Sequence, residues 1–309
     1  MKCGNYCIGN EEPIDNLIFV TGACRSGKTL FSKILASTQN TEWIEEPYEL
    51  SLLLWAIQAG KSSVDLEWEE KAFNAICKEL INSAILLRNG NFRPEDLSTI
   101  WNYKEAKEIF QRLVNINTRN QVQDYIKENN SHFIIDIPGI LGSSEFMRRA
   151  CKGVRVIHVI RNPYDVAEAV CQKHWNSNES LEYPLNNDIY RKFNCKENNK
   201  EYYIPWWVKE GMEYDFVEAT EYERAIIYWI SMVENYDGSD FLIKYEDLVQ
   251  APQEAIKSFL KLGLLSTTKT MALSSELQSI YILEQAQEIH LNRYYADKFR
   301  ELKEIYKYG

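Results

Sequence analysis

Residues 17–29 read LIFVTGACRSGKT, an apolar strand pattern that runs straight into a glycine loop ending in Gly27, Lys28 and Thr29. The stretch that follows, LFSKILAS, has the apolar spacing of a helix. Strand, glycine turn and helix in that order make an anion site, because loop N–H groups and the positive end of the helix dipole converge on one point. Gly22 and Gly27 allow a close backbone approach that a side chain would obstruct. Arg25 and Lys28 add charge, and Ser26 and Thr29 add hydroxyl donors. Gly22 to Thr29 satisfies the phosphate-loop pattern G-x-x-x-x-G-K-[ST]. A plain strand-to-helix turn is the alternative. The strand before the pattern and the helix after it favour the phosphate loop.

Working outward, the apolar runs LIFV (17–20), HFIID (132–136), VRVIHVI (154–160) and FLIKY (241–245) read as buried parallel strands. Helical patterns lie between them. The expected fold class is therefore α/β, a P-loop-type parallel sheet flanked by helices, with one domain over residues 1–309. Two insertions break the rhythm. Residues 51–131 read as a mostly helical cap, and residues 176–222, rich in Asn, Tyr, Trp and acids, as an irregular aromatic lid. The helix YERAIIYWISMVENY follows the lid. Ligands of open α/β sheets bind beyond the carboxyl ends of strands, so the loops there are the site candidates.

Bulk properties narrow the partners. A net charge of −10 argues against a broad nucleic-acid-gripping surface, while leaving room for a local basic pocket. The seven cysteines contain no zinc-like double pair, and their odd number suits a reducing compartment. Cys3 and Cys7 read as part of a solvated tail rather than as metal ligands. The opening MKCGNYCIGNEEP lacks the apolar core of an export signal, and no apolar run is long enough to cross a bilayer. A soluble cytoplasmic protein is expected, with no membrane or nucleic-acid partner.

Two further stretches stand out. In Val159-Ile160-Arg161-Asn162-Pro163-Tyr164-Asp165-Val166 a strand ends, a guanidinium follows, and Pro163 and Asp165 suit a turn into a helix. Arg161 is placed to bind a second phosphate bidentately, or equally to pair with a nearby carboxylate. The stretch Tyr245-Glu246-Asp247-Leu248-Val249-Gln250-Ala251-Pro252, with Phe259-Leu260 and Gly263-Leu264 beyond it, reads as scaffold.

With these residues in place, the chain resembles the sulfotransferase family that takes 3′-phosphoadenosine 5′-phosphosulfate (PAPS) as donor. TGACRSGKT looks like the family's 5′-phosphosulfate loop, VIRNPYDVAEAV like its 3′-phosphate strand-turn-helix, and FLIKYEDLVQAP…IKSFLKLGL like its closing segment. The resemblance implies that Arg25, Ser26, Gly27, Lys28 and Thr29 surround the 5′-phosphosulfate and that Arg161 binds the 3′-phosphate. Two departures stand against it. Lys28 replaces a usual hydroxyl residue, and Ala169 replaces the serine that joins the arginine, leaving Ser177 or Arg293 as candidate substitutes. The basic glycine segment of animal cytosolic members is also absent, so a bacterial or carbohydrate-type branch is the closer likeness.

Transfer to a hydroxyl or amine acceptor needs in-line placement and a base. Glu45-Glu46-Pro47 stands where a second strand should end near the donor, and Glu46-Pro47 resembles the arrangement of branches whose base is a glutamate. Glu46 is the expected base, with Glu45 behind it; the alternative is a solvated surface pair. Asp136 is the rival, as base, partner of Lys28 or acidic metal-site residue. Its position before Ile137-Pro138 resembles where cytosolic members place a catalytic histidine. His132, His158 and His174 read as structural, and His290 as part of a polar C-terminal helix. A sulfuryl group carries less charge than a phosphoryl group, so Lys28 and Arg25 are expected to stabilise the departing 3′,5′-bisphosphate, PAP, without a metal.

Tyr202, Tyr203, Trp206 and Trp207 form an aromatic cluster, either stacking on a small-molecule or glycan acceptor or pinning the lid to the core. Two other functions remain open. A P-loop nucleotide kinase or NTPase would use Lys28, Thr29, magnesium and the D-x-x-G stretch Asp136–Gly139, although no N-K-x-D segment accompanies it. A non-catalytic nucleotide-binding scaffold would account for Lys28 and Ala169.

Overall fold

The computed structural model describes residues 16–37, 40–60, 65–88, 92–96, 98–184, 190–236, 241–251, 254 and 289–308. Cys3, Cys7, Pro252 and the stretch Phe259–Leu264 lie outside the described residues. The strands described are β1 (Leu17–Thr21), β2 (Thr41–Glu45), β3 (His132–Asp136), β4 (Arg155–Ile160), β5 (Arg191–Cys195), β6 (Lys200–Ile204) and β7 (Phe241–Lys244). The helices are α1 (Lys28–Ala36), α2 (Tyr48–Gln58), α3 (Leu66–Ile85), α4 (Ala106–Asn115), α5 (Arg119–Asn129) and α6 (Ser144–Ala150). They continue with α7 (Pro163–Cys171), α8 (Asn178–Glu182), α9 (Glu213–Glu218), α10 (Glu221–Val233), α11 (Tyr245–Gln250) and α12 (Arg293–Tyr306).

Five strands form one parallel sheet in the order β2-β3-β1-β4-β7. β1 sits at its centre with every residue buried, which is why it reads as an unbroken apolar run. Alternate residues serve opposite faces. Ile18 and Val20, with Trp43 and Val159, pack on Phe31 and Leu35 of α1. Leu17 and Phe19, with Ile44 and Phe133, pack on Leu50, Phe73 and Phe146 of α2, α3 and α6. A third cluster joins Val166 of α7, Trp229 of α10, Phe299 of α12 and Ile204 of β6.

Helix starts follow sequence chemistry. Thr220 and Glu223 form a capping box at α10, and Thr118 and Gln121 form another at α5. α2 to α5, with a short 3-10 turn at Ile100–Asn102, fill the stretch between β2 and β3. A buried ion pair fastens them: Arg112 of α4 grips Glu42 of β2 through bonds of 3.0 and 3.3 Å, with Lys104 3.4 Å from the same carboxylate. The stretch 176–222 is not irregular throughout. It contains α8, α9 and an antiparallel β5–β6 hairpin. Cys195, Tyr202 and Ile204 face the core while Lys192 and Glu201 pair outside at 3.0 Å. That alternation is masked in the sequence by a turn, Lys196–Asn199, as polar as the exposed strand face. No described helix is long and apolar enough to cross a membrane.

Candidate active site

The parallel strands end on a common edge, and the candidate residues follow directly from those ends. In register, Glu45 stands opposite Asp136, and Val20 opposite both Asp136 and Ile157. The glycine loop leaves β1 pressed against β4: a Cβ added at Gly22 would lie 2.2 Å from the Val159 carbonyl oxygen. Gly27 opens α1 at φ +93°, in the left-handed region that favours glycine. No side chain caps α1 and its first turn contains no acid, so the positive helix end is left for an external anion. The buried Ser26 hydroxyl oxygen has no partner, while Arg25 is exposed at the tip.

Arg161 leaves β4 beside this loop. Asn162 caps α7 by accepting from the Tyr164 N–H at 3.0 Å, with Pro163 in the first turn. The turn is fixed by Trp229, whose indole N–H donates to the Arg161 carbonyl at 3.0 Å, and by Glu246, which accepts the Asn162 N–H at 2.8 Å. The Arg161 guanidinium lies 4.6 Å above the Tyr245 ring and donates to the Arg25 carbonyl at 3.3 Å. It is also 3.5 Å from Asp165, while its buried Nε has no partner. The same Tyr245 ring backs the loop: a Cβ at Gly27 would come within 2.2 Å of it. Loop and Arg161 therefore share one face, joined through a tyrosine that sequence reasoning left as scaffold. Its position at the immediate end of a strand was the available signal.

An acid–lysine cluster completes this edge. Glu46 follows β2 at φ +38°, and its N–H donates to the Asp136 carbonyl at 2.9 Å. Lys28 reaches back to ion-pair with Glu46 and lies 3.6 Å from Asp136. Asp136, fully buried, also accepts from the Trp43 indole at 3.1 Å. Burial works against the Lys28 charge, but Asp136 and Glu46 outweigh it, so its pKa is raised and it stays protonated. Glu45 is pushed up to about 7 by burial, then by Asp136 and Glu46.

A cavity of about 410 Å³ opens beside the loop, bounded by Cys24 and Tyr228. The Cys24 N–H donates to the Tyr228 oxygen at 2.7 Å. Trp206 and Trp207 line this cavity, whereas Tyr202 is buried in the hairpin, accepting from Asn198 at 2.9 Å. Tyr203 carries Lys192 at 5.3 Å over its ring. The aromatic cluster read in the sequence thus divides, and Tyr48, Trp55, Trp175 and Tyr228 join from other segments. A larger groove of about 710 Å³ runs along α12 beside Tyr164 and is lined by none of the loop residues, Glu46 or Arg161.

The sequence offers Ser177 and Arg293 in place of a hydroxyl at Ala169. Ser177 caps α8, and Arg293, 97 % exposed, lies 3.8 Å from Asp297. His132 and His158 are buried in their strands, and His174 faces Glu221 at 3.4 Å.

The model of the sulfotransferase family matches residues 17–264, a span that opens at β1 and takes in the glycine loop, Glu46, Arg161 and the end of β7. The chain belongs to the sulfotransferase family. Sulfuryl transfer is accordingly the class of reaction its family supports. Among solved structures it is similar to the sulfotransferase domain of the Synechococcus PCC 7002 olefin synthase, at 16 % identity and a TM-score of 0.43 over 97 % of this chain and 98 % of that one. It is similar also to the sulfotransferase domain of the curacin biosynthetic pathway, at 14 % identity and a TM-score of 0.46 over 96 % and 99 %. A sulfotransferase from Mycobacterium avium matches at 11 % identity and 0.36, over 96 % of this chain and 70 % of its own. No curated protein matches.

Proposed function

We propose that this sulfotransferase draws its sulfuryl group from PAPS and delivers it to a hydroxyl acceptor. The observation that carries the donor reading is the Tyr245 ring shared by Gly27 and Arg161, which sets two anion-ready groups on one face. The residues fit such a donor: the Ser26 hydroxyl and the Arg161 Nε are buried donors without partners, and α1 presents an uncapped positive end. Arg25, Ser26, Gly27, Lys28 and Thr29 would hold the 5′-phosphosulfate, and Arg161 the 3′-phosphate. The donor supplies a sulfuryl group activated by its phosphate leaving group.

In the transfer, the acceptor oxygen bonds to sulfur, the sulfur–oxygen bond to phosphate breaks with its electron pair on PAP, and the acceptor proton passes to Glu46. Glu46 pairs with Lys28 of the loop, and Cys24 of the same loop bounds the cavity, which favours a carboxylate on the loop side of the acceptor space. Lys28 holds it there. An arriving anionic donor competes for that same ammonium, which frees the Glu46 carboxylate to take the acceptor proton as the donor binds. Asp136, fully buried, positions Lys28 rather than meeting the acceptor.

Thermal shift with PAP, ATP and GTP, each with and without magnesium, tests the donor. Metal-independent protection by PAP supports the reading, and magnesium-dependent protection by ATP or GTP alone rejects it. Glu46→Gln should lower turnover about 10²- to 10⁴-fold with PAP affinity little changed. Full turnover by that variant would remove Glu46 as the base.

A further inference from the structure

We infer that the acceptor is an uncharged aromatic alcohol with fused or extended rings, taken into the cavity beside Cys24 with its hydroxyl toward Tyr228. The inference rests on the sulfotransferase reading above and adds the substrate class. The described lining of the 410 Å³ cavity includes eight aromatic side chains and no charged one. A cavity of this volume matches a small drug-sized ligand, and such sites are apolar with few placed polar groups.

The walls are fixed before any ligand arrives. Trp55 donates its indole N–H to the Pro138 carbonyl at 2.9 Å, so that polar atom is already satisfied. Its ring lies nearly parallel to Trp206, at 6.5 Å and 24°. Trp207 is held edge-on by Phe216 at 5.3 Å and by Tyr228 at 5.1 Å. At the rim, Tyr48, Trp175 and Tyr183 are 53, 48 and 76 % exposed, a grouped apolar surface of the kind that a ligand covers.

At the loop end the Tyr228 oxygen accepts from the Cys24 N–H at 2.7 Å, and Asn176 and Ser180 are further polar side chains of the described lining. A glycan would bury many hydroxyls against a wall whose exposed surface is mostly apolar, and each unmatched hydroxyl costs binding. A sulfated or carboxylated acceptor would find no cation among the described lining residues to offset the loss of its hydration.

The test is titration of the full chain, with PAP present, followed by tryptophan fluorescence. The probes are 2-naphthol, 6-hydroxy-2-naphthoate and methyl glucoside. The expected result is saturable 2-naphthol binding, naphthoate weaker by about tenfold or more, no saturable glucoside binding, and sulfation of 2-naphthol when PAPS replaces PAP. Trp206→Ala should weaken 2-naphthol by about tenfold while PAP binds as before, and Trp206→Phe should recover most of the loss. A chain that binds PAP but prefers glucoside or naphthoate, or binds none of the three, overturns the acceptor class and leaves the donor reading standing. A chain that does not bind PAP overturns the donor reading and this inference with it.

Discussion

Replacing Gly27 by alanine should disturb both anion pockets through one ring. At φ +93° an alanine sits in the left-handed region, at a cost of about 1–2 kcal/mol. Its Cβ would fall 2.2 Å from Cδ2 and 2.8 Å from Cε2 of Tyr245, well inside contact distance, so the ring must move. Overpacking of this kind costs about 1–3 kcal/mol. The sum is about 2–5 kcal/mol of folding stability, read as a shift of the urea midpoint. The moved ring also withdraws from beneath the Arg161 guanidinium, now 4.6 Å above it, so PAP affinity should fall by more than loop strain alone accounts for. Tyr245→Ala removes the obstacle. In that background Gly27→Ala should cost only the backbone part, about 1–2 kcal/mol, leaving a coupling of about 1–3 kcal/mol in the double-mutant cycle. Equal costs of Gly27→Ala with and without the ring would show that Tyr245 does not couple the glycine loop to Arg161.

Other expectations follow from buried charge. His158 is wholly buried, neither ring nitrogen is hydrogen-bonded, and desolvation lowers its pKa from 6.5 to about 3. The unfolded chain then binds the extra proton, so stability is present above pH 6.5 and is lost as pH falls below it. Between pH 7.5 and 5, wild type should lose about 2 kcal/mol more than His158→Leu in urea unfolding, and parallel curves would contradict this. Glu45 carries the opposite sign, since its carboxyl is raised from 4.5 to about 7. Glu45→Gln should raise the melting temperature above pH 7 and change it little near pH 5, and a uniform shift at both would count against a crowded, half-buried acid. Arg112→Met strips Glu42 of its bidentate partner at 3.0 and 3.3 Å and leaves Lys104. A loss of about 3 kcal/mol is expected by urea unfolding, and no loss would show that Lys104 alone satisfies Glu42.

The sheet was readable because a parallel strand buried on both faces cannot alternate: LIFV, HFIID and VRVIHVI each read as one apolar run and each became a strand. The glycine loop was readable for a related reason, as its residues are consecutive in sequence and lie together between β1 and α1. What escaped reading was assembled across the chain. The ring of Tyr245 meets Gly27 and Arg161 only after β7 joins β4. The cavity beside Cys24 gathers Tyr48 and Trp55 from α2, Trp175 from beyond α7 and Tyr228 from α10, none adjacent to Trp206 and Trp207 in sequence. Lys28, which departs from the family pattern, acquires its explanation only from the two acids that fold against it. The β5–β6 hairpin was hidden because its turn is as polar as its exposed face.

The proposed donor requires that the glycine loop and Arg161 together recognise one adenosine nucleotide phosphorylated at both ends. Calorimetric titration of PAP and of 5′-AMP, without metal, measures that directly, since the two differ only in the 3′-phosphate. Wild type should bind PAP more tightly by about tenfold or more, and Arg161→Ala should bind the two alike. Equal affinities in wild type, or a preference for PAP that survives Arg161→Ala, would contradict it.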